Sequence, residues 1–266
     1  MKLNSTNEIK SNNVLDMLKT LIRFDKVGKP PYSFGLILAI EQAIRLKLPE
    51  ITVVEFGVFQ GNGLRELANA AALLADSSGV RINILGFDTG VGMPQPVDYR
   101  DHPETWDVSD MAMTDPAEIL SSLPKHPLLS CNLILGNIAD TVDSHLISTL
   151  TAKNPLGFVA VDVDSYTATT HALTCLLGPA KHYLPSVPVY MDDIEYNLAV
   201  CSRTGEGLAV SDFNLKNEKR FLEKKVVRAM YVPKYWHHLM YFCQVFDHWS
   251  RAPGAKVDLN INILSY

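Results

Sequence analysis

Residues 51–63 read Ile51-Thr-Val-Val-Glu55-Phe-Gly57-Val-Phe-Gln-Gly61-Asn-Gly63. A short β-branched apolar run gives way to an acid, then to Gly-x-x-x-Gly-x-Gly, and an alanine-rich stretch at helical spacing follows over Leu64–Ala75. That order is strand, tight turn, helix. The unit recurs downstream. Ile82–Phe87, Asn132–Leu135, Phe158–Val161 and Val187–Met191 read as strands. Between them lie helix starts at Asp115-Pro116-Ala117-Glu118 (a cap, Pro at the first helical position, an acid at the third), near Asp140, and over Thr167–Leu177. The strands are apolar throughout rather than alternating, as when both sheet faces are covered. Five alternations of strand and helix predict an α/β, Rossmann-like, doubly wound and mostly parallel sheet.

The two ends of the chain differ from this middle. Val226–Val232 and Leu239–Val245 are joined by only Pro233–His238, too short for a crossover helix, so they are expected as an antiparallel pair completing the sheet. A helix is expected before them, near Gly207–Asn217. At the start, a frayed dozen residues precede a helical stripe of Val14, Leu15, Leu18, Leu21 and Ile22; Lys29-Pro30-Pro31 breaks it, and Ser33 is expected to cap a second helix ending before Pro49. Residues 1–50 thus read as a helical extension, covering the site or forming a homodimer contact. Residues 51–266 read as the main domain of a single-domain chain.

The 266 residues are 47% apolar and 20% charged with a net charge of −5, which excludes disorder and coiled coil. No basic stripe suggests nucleic acid: the cluster Lys216–Lys225 is interleaved with Asn and Glu. No apolar run reaches the ~18 residues of a membrane span, and the polar start has no apolar signal region. Cys131, Cys175, Cys201 and Cys243 lack paired spacing and are expected as reduced thiols, which fits a cytoplasmic protein.

In open α/β sheets ligands bind beyond the carboxyl ends of the strands. The first glycine turn is not the dinucleotide fingerprint, because residue 59 is Phe, and not a phosphate loop, because Leu64 and Arg65 follow Gly63. Glu55 before the turn suits the ammonium of an amino-acid head, although a tight turn needs no ligand. Asp88, ending strand two, can accept ribose hydroxyls of a nicotinamide cofactor or of S-adenosylmethionine, and Asn137 lies where an adenine edge would be read. Asp162, Asp192 and Asp193 end neighbouring strands. Such acids repel unless protonated or bridged by a cation, and their hard oxygens suit Mg²⁺ or Ca²⁺; the alternative is that some cap loops or bind substrate directly. The histidines show no zinc spacing. Residues 89–113 are irregular and long enough for an acceptor-binding lid, with Tyr99, Trp106 and Asp107 as candidates and Tyr166 nearby.

With these residues assembled, the chain resembles class I S-adenosylmethionine-dependent methyltransferases, and within them the macrocin-type O-methyltransferase family. The likeness rests on EFGVFQGNG (55–63), GFDTGVGMP (86–94), LGNIADTV (135–142) and VDVDSY…MDD (161–193). It spans residues 51–193, and it departs from the family at Gly90-Val91, Leu184–Pro188 and Ile194. The resemblance implies a seven-stranded sheet with an antiparallel last strand. It implies S-adenosylmethionine held by Glu55, Gly57, Val58, Phe59, Gly61, Asn62 and Gly63, by Asp88 and Thr89, by Gly136, Asn137 and Ile138, and by Asp162. It further implies a divalent metal, usually magnesium, on Asp162, Asp192 and Asp193, with Asp162 and Asp193 as catalytic carboxylates. The implied acceptor is a hydroxyl of a small molecule, sugar or natural-product-like. The same sheet leaves two rivals, an oxidoreductase using NAD and a non-catalytic nucleoside-binding module.

Overall fold

The computed structural model describes residues 5–195, 198–224 and 234–261, with side chains from residue 14 onward. Its strands are β1 (Glu50–Phe56), β2 (Arg81–Asp88), β3 (Leu129–Leu135), β4 (Leu156–Val161), β5 (Ser186–Met191), β6 (Arg220–Lys224) and β7 (Met240–Val245). They form one seven-stranded sheet in the order β3-β2-β1-β4-β5-β7-β6. The first five strands are parallel, and β7 runs antiparallel to both β5 and β6. From β1 the chain winds outward through β2 to β3, then returns to β4 beside β1 and winds the other way. The crevice where that order reverses lies at the carboxyl ends of β1 and β4.

The helices are α1 (Ser5–Arg23), α2 (Pro30–Leu46), α3 (Asn62–Ser78), α4 (Pro116–Ser122), α5 (Ile138–His145), α6 (Tyr166–Leu173) and α7 (Gly205–Lys216). Asp115 caps α4 as its sequence predicts, accepting from the Glu118 amide at 2.9 Å. The start of the chain corrects two expectations. Helix α1 begins at Ser5, where fraying was expected. The expected break between the two helices is present, after Arg23, but Lys29-Pro30-Pro31 itself opens α2, with Lys29 as N-cap and the prolines in the first turn, where no intrahelical N–H is needed. Ser33, the expected cap, is buried inside the helix.

Helix α2 is buried on almost every side against α3, β4 and β5, which is why its apolar residues do not fall in one stripe. Its Tyr32 ring meets Phe158 and Tyr190 edge to face at 6.1 and 5.6 Å. One contiguous apolar core runs from Leu15 of α1 to Val245 of β7.

The carboxyl-terminal pair also differs from expectation. The described partner of β7 is β6, directly after α7, and the expected strand Val226–Val232 lies outside the described residues. Strand β6 reads Arg-Phe-Leu-Glu-Lys and alternates buried and exposed as an edge strand with one wet face does. A reading tuned to continuous apolar runs passes over it. Among the described residues no helix is long and apolar enough to cross a membrane.

Candidate active site

The sheet register assembles the site. Phe56 pairs with Phe87 on one side and Val161 on the other, and Val161 pairs with Met191. The next residues along, Gly57, Asp88, Asp162 and Asp192, therefore emerge side by side and line one cavity of about 340 Å³. Gly57 has φ +85°, and a Cβ there would stand 1.7 Å from the carbonyl oxygen of Asp162. Only glycine lets the ends of β1 and β4 approach this closely.

Asp88 organises the glycine turn. Its Oδ2 accepts from the amides of Val58 (2.9 Å) and Phe59 (2.8 Å), and its Oδ1 from the amide of Gly90 (2.7 Å). Phe59 sits at φ +48°, so these bonds hold a conformation that a bulky residue does not favour. Expected to meet a ribose, Asp88 thus has a prior task in holding the loop, while its remaining lone pairs still face the cavity.

Glu55 lies beneath the turn and is buried. Tyr32 donates its hydroxyl to Oε1 at 2.7 Å, while Oε2 is buried without a partner. Burial, opposed by the Lys29 charge and the Tyr32 bond, pushes its carboxyl up to about 8. At Gly63 a Cβ would come within 1.9 Å of Glu55 Oε1, so the helix start packs directly on this carboxyl.

Asp162, Asp192 and Asp193 each present an oxygen within 4.8 Å of the others. Burial and then the neighbouring Asp192 raise Asp162 to about 6; burial and then Asp162 raise Asp164 to about 7. Asp193 is pushed well above the usual range by burial and by Asp164, and its Oδ2 is buried without a partner. The hydroxyl of Tyr190 donates to Asp192.

Two residues that the sequence did not flag complete the cluster. Lys29, the N-cap of α2, places its ammonium 3.2 Å from Asp162 Oδ2 and 4.7 Å above the Tyr32 ring. Burial alone would lower its pKa, but Asp162, Glu55 and Asp192 hold it above the usual value. Glu206, in the first turn of α7, is fully buried; its Oε2 accepts from the Asp193 amide at 3.1 Å, and its Oε1 has no partner. Nothing in the local sequence marks either residue, because each arrives from an element distant in the chain.

Of the residues singled out in the sequence, Glu55, Gly57, Val58, Phe59, Asn62, Gly63, Asp88, Thr89, Trp106, Asn137, Ile138, Asp162, Asp192 and Asp193 line the cavity. Gly61, Gly136, Tyr99 and Tyr166 do not. Gly61 is the N-cap of α3, and Gly136 bonds back to Asp88 O at 2.9 Å. Tyr99 is exposed, as is Asp107, and the Tyr166 hydroxyl donates to Asp212 at 2.8 Å beneath the guanidinium of Arg100. Asn137 caps α5, accepting from the Ala139 amide at 2.9 Å.

The irregular stretch 89–113 is anchored rather than loose. Buried Asp101 accepts from the amide and hydroxyl of Thr167 at 2.7 and 2.8 Å and from the amide of Val97 at 2.9 Å. Met93 and Asp110 pair through their backbones at 2.7 Å, and Gln60 reaches Ala112 O and Thr114 Oγ1. These bonds bring Met93, Pro94, Trp106 and Met111 onto the cavity.

No family model matches the chain, and no curated protein matches it. Solved structures do. A crystal structure of the calicheamicin methyltransferase CalS11 superposes with a TM-score of 0.53 at 18% identity, covering 88% of this chain and 91% of that one. An apo structure of CalS11, described as a TDP-rhamnose 3′-O-methyltransferase, gives 0.43 at 17% identity, covering 88% and 93%. The O-methyltransferase TomG from Streptomyces achromogenes, in complex with S-adenosylmethionine, gives 0.37 at 15% identity, covering 79% and 81%. At such identity the first likeness speaks to architecture alone, and the looser ones add nothing to it. The chain shares the Rossmann-like, seven-stranded architecture of that first structure.

Proposed function

We propose that this chain is an S-adenosylmethionine-dependent methyltransferase acting on a hydroxyl of a small molecule with help from a divalent cation, magnesium. One observation carries the reading. A single cavity at the switch point is lined by Glu55 and Asp193, and each keeps one buried carboxyl oxygen without a partner, Oε2 and Oδ2. The first fits the ammonium of an amino-acid head beside a glycine turn shaped for close approach. The second, with Asp162 and Asp192, fits a hard cation.

When bound, S-adenosylmethionine supplies an electrophilic methyl, and magnesium supplies a Lewis acid that lowers the pKa of a hydroxyl by several units. The chain's own contribution is placement. Glu55 and the amide-lined turn hold the donor's amino-acid end, Asp88 holds the turn, and Asn137 and Ile138 bound the base. The three aspartates hold the cation, with Asp193 fixed through its amide by Glu206. Lys29 stands on Asp162 Oδ2, and the Asp162 carboxylate beside the cation is the group that would take the hydroxyl proton. Holding two reactants in line contributes roughly 7–11 kcal/mol.

The test is calorimetric titration of the purified chain with S-adenosylhomocysteine, with and without magnesium. One-to-one binding supports the donor site. Absence of binding in both conditions, with binding of NADH instead, would transfer the site to the oxidoreductase reading.

A further inference from the structure

The lining of this cavity mixes two chemical kinds of side chain. Six carboxyl groups line it, Glu55, Asp88, Asp162, Asp164, Asp192 and Asp193, against a single cationic side chain among the described lining residues, Lys29. That ammonium is already engaged, 3.2 Å from Asp162. The same lining also offers apolar side chains, Phe59, Met93, Pro94, Trp106 and Met111. Phe59 and Met111 are 41% and 42% exposed, so apolar surface is left uncovered at the mouth rather than packed into the core.

A phosphorylated acceptor would enter this space at a disadvantage. Phosphate oxygens are recognised by arginine forks, lysines and free helix-start amides. No arginine is among the lining residues, and at the start of α5 the Ala139 amide is taken by Asn137. A cation on the three aspartates offsets two charges, and beyond Lys29 the lining still offers an anion no cationic side chain. A cavity lined by one sign of charge concentrates ligands of the opposite sign and depletes those of its own by tenfold or more. Flat apolar ligands gain from the aromatic and thioether wall, and a cationic one gains further over an indole face.

We infer that the acceptor is an uncharged or cationic phenol-type molecule, its ring against Phe59, Trp106 and Met111 and its hydroxyl toward Asp162 and Asp193, rather than a phosphorylated sugar. This rests on the methyltransferase reading of the same cavity.

The experiment uses the full chain saturated with S-adenosylhomocysteine and magnesium. Saturation itself is checked first, and its failure would remove the methyltransferase reading before any acceptor is added. Tyramine, 4-ethylphenol, 4-hydroxyphenylacetate and UDP-glucose are then titrated calorimetrically. The first three share one ring and hydroxyl and differ in charge. Tyramine and 4-ethylphenol are expected to bind at least tenfold more tightly than 4-hydroxyphenylacetate, with no heat from UDP-glucose. Trp106→Ala is expected to weaken tyramine at least tenfold. Tighter binding of the anion or of UDP-glucose overturns the inference, and so does silence from all four on a chain that holds S-adenosylhomocysteine.

Discussion

Replacing Asp88 by Asn tests the turn at its most connected point. The wild-type carboxylate accepts three backbone amides, two on Oδ2 and one on Oδ1. Asparagine keeps the shape but offers one acceptor oxygen and one NH₂. If its oxygen stays on Val58 and Phe59, the Gly90 amide faces a donor; flipped, two amides do. At least one charge-assisted bond is lost, each worth about 1.5–3 kcal/mol, and the survivors weaken to neutral strength. Because the Phe59 side is open to solvent, we expect a total near the lower end, about 2–3 kcal/mol. Urea unfolding reads this as a lower midpoint with an unchanged slope. The loosened turn also carries the donor site, so the affinity for S-adenosylhomocysteine is expected to fall at least ~10-fold, about 1.4 kcal/mol. A variant within about 0.5 kcal/mol of wild type that binds S-adenosylhomocysteine equally well would refute the idea that Asp88 holds the turn.

Gly57→Ala places a Cβ 1.7 Å from a backbone oxygen of another strand. Thermal unfolding should show a loss of about 3 kcal/mol or more, and an unshifted transition would mean that β1 and β4 separate easily. Glu55, raised to about 8 in the folded chain, binds a proton there that the unfolded chain releases near 4.5. Its stabilisation is therefore complete below 4.5, declines as pH rises to about 8, and is constant above. Glu55→Gln should remove about 3 kcal/mol of that decline between about pH 5 and pH 7.5 in urea titrations; an unchanged slope would place the pH dependence elsewhere. Lys29→Met removes the ammonium beside Asp162. Differential scanning fluorimetry should show a lower midpoint without magnesium and a larger rise on adding millimolar magnesium than in wild type. Equal rises in both proteins would mean that lysine and cation do not share Asp162.

The sequence carried the sheet because its central strands are buried on both faces. Ile51–Phe56, Phe158–Val161 and Val187–Met191 read as largely apolar runs for that reason, inside strands that the structure extends by a residue or two. The strand-end acids were legible too, since a polar residue following such a run must emerge at the crevice. Strand β6 was not, because an edge strand keeps charge on its wet face. The prolines of α2 misled because the same residue that breaks a helix interior is at ease in its first turn. Lys29 and Glu206 were invisible for a different cause: their meaning lies in contacts across 133 and 13 residues, and no local pattern encodes those. Asp101 is similar, a loop acid whose role appears only once α6 is seen beside it.

Lys29 also ties the electrical state of the cavity to the arrangement of the helices. The sheet supplies the acids, whereas their counter-ion rides on the cap of α2. Without α2 the crevice would keep its six carboxyl groups and lose the one cationic side chain among its described lining residues. A helix pried away again would leave a trap for cations in place of a receptor for a zwitterion. Ligand preference in this fold can therefore be reset from outside the sheet, without altering a single strand-end residue.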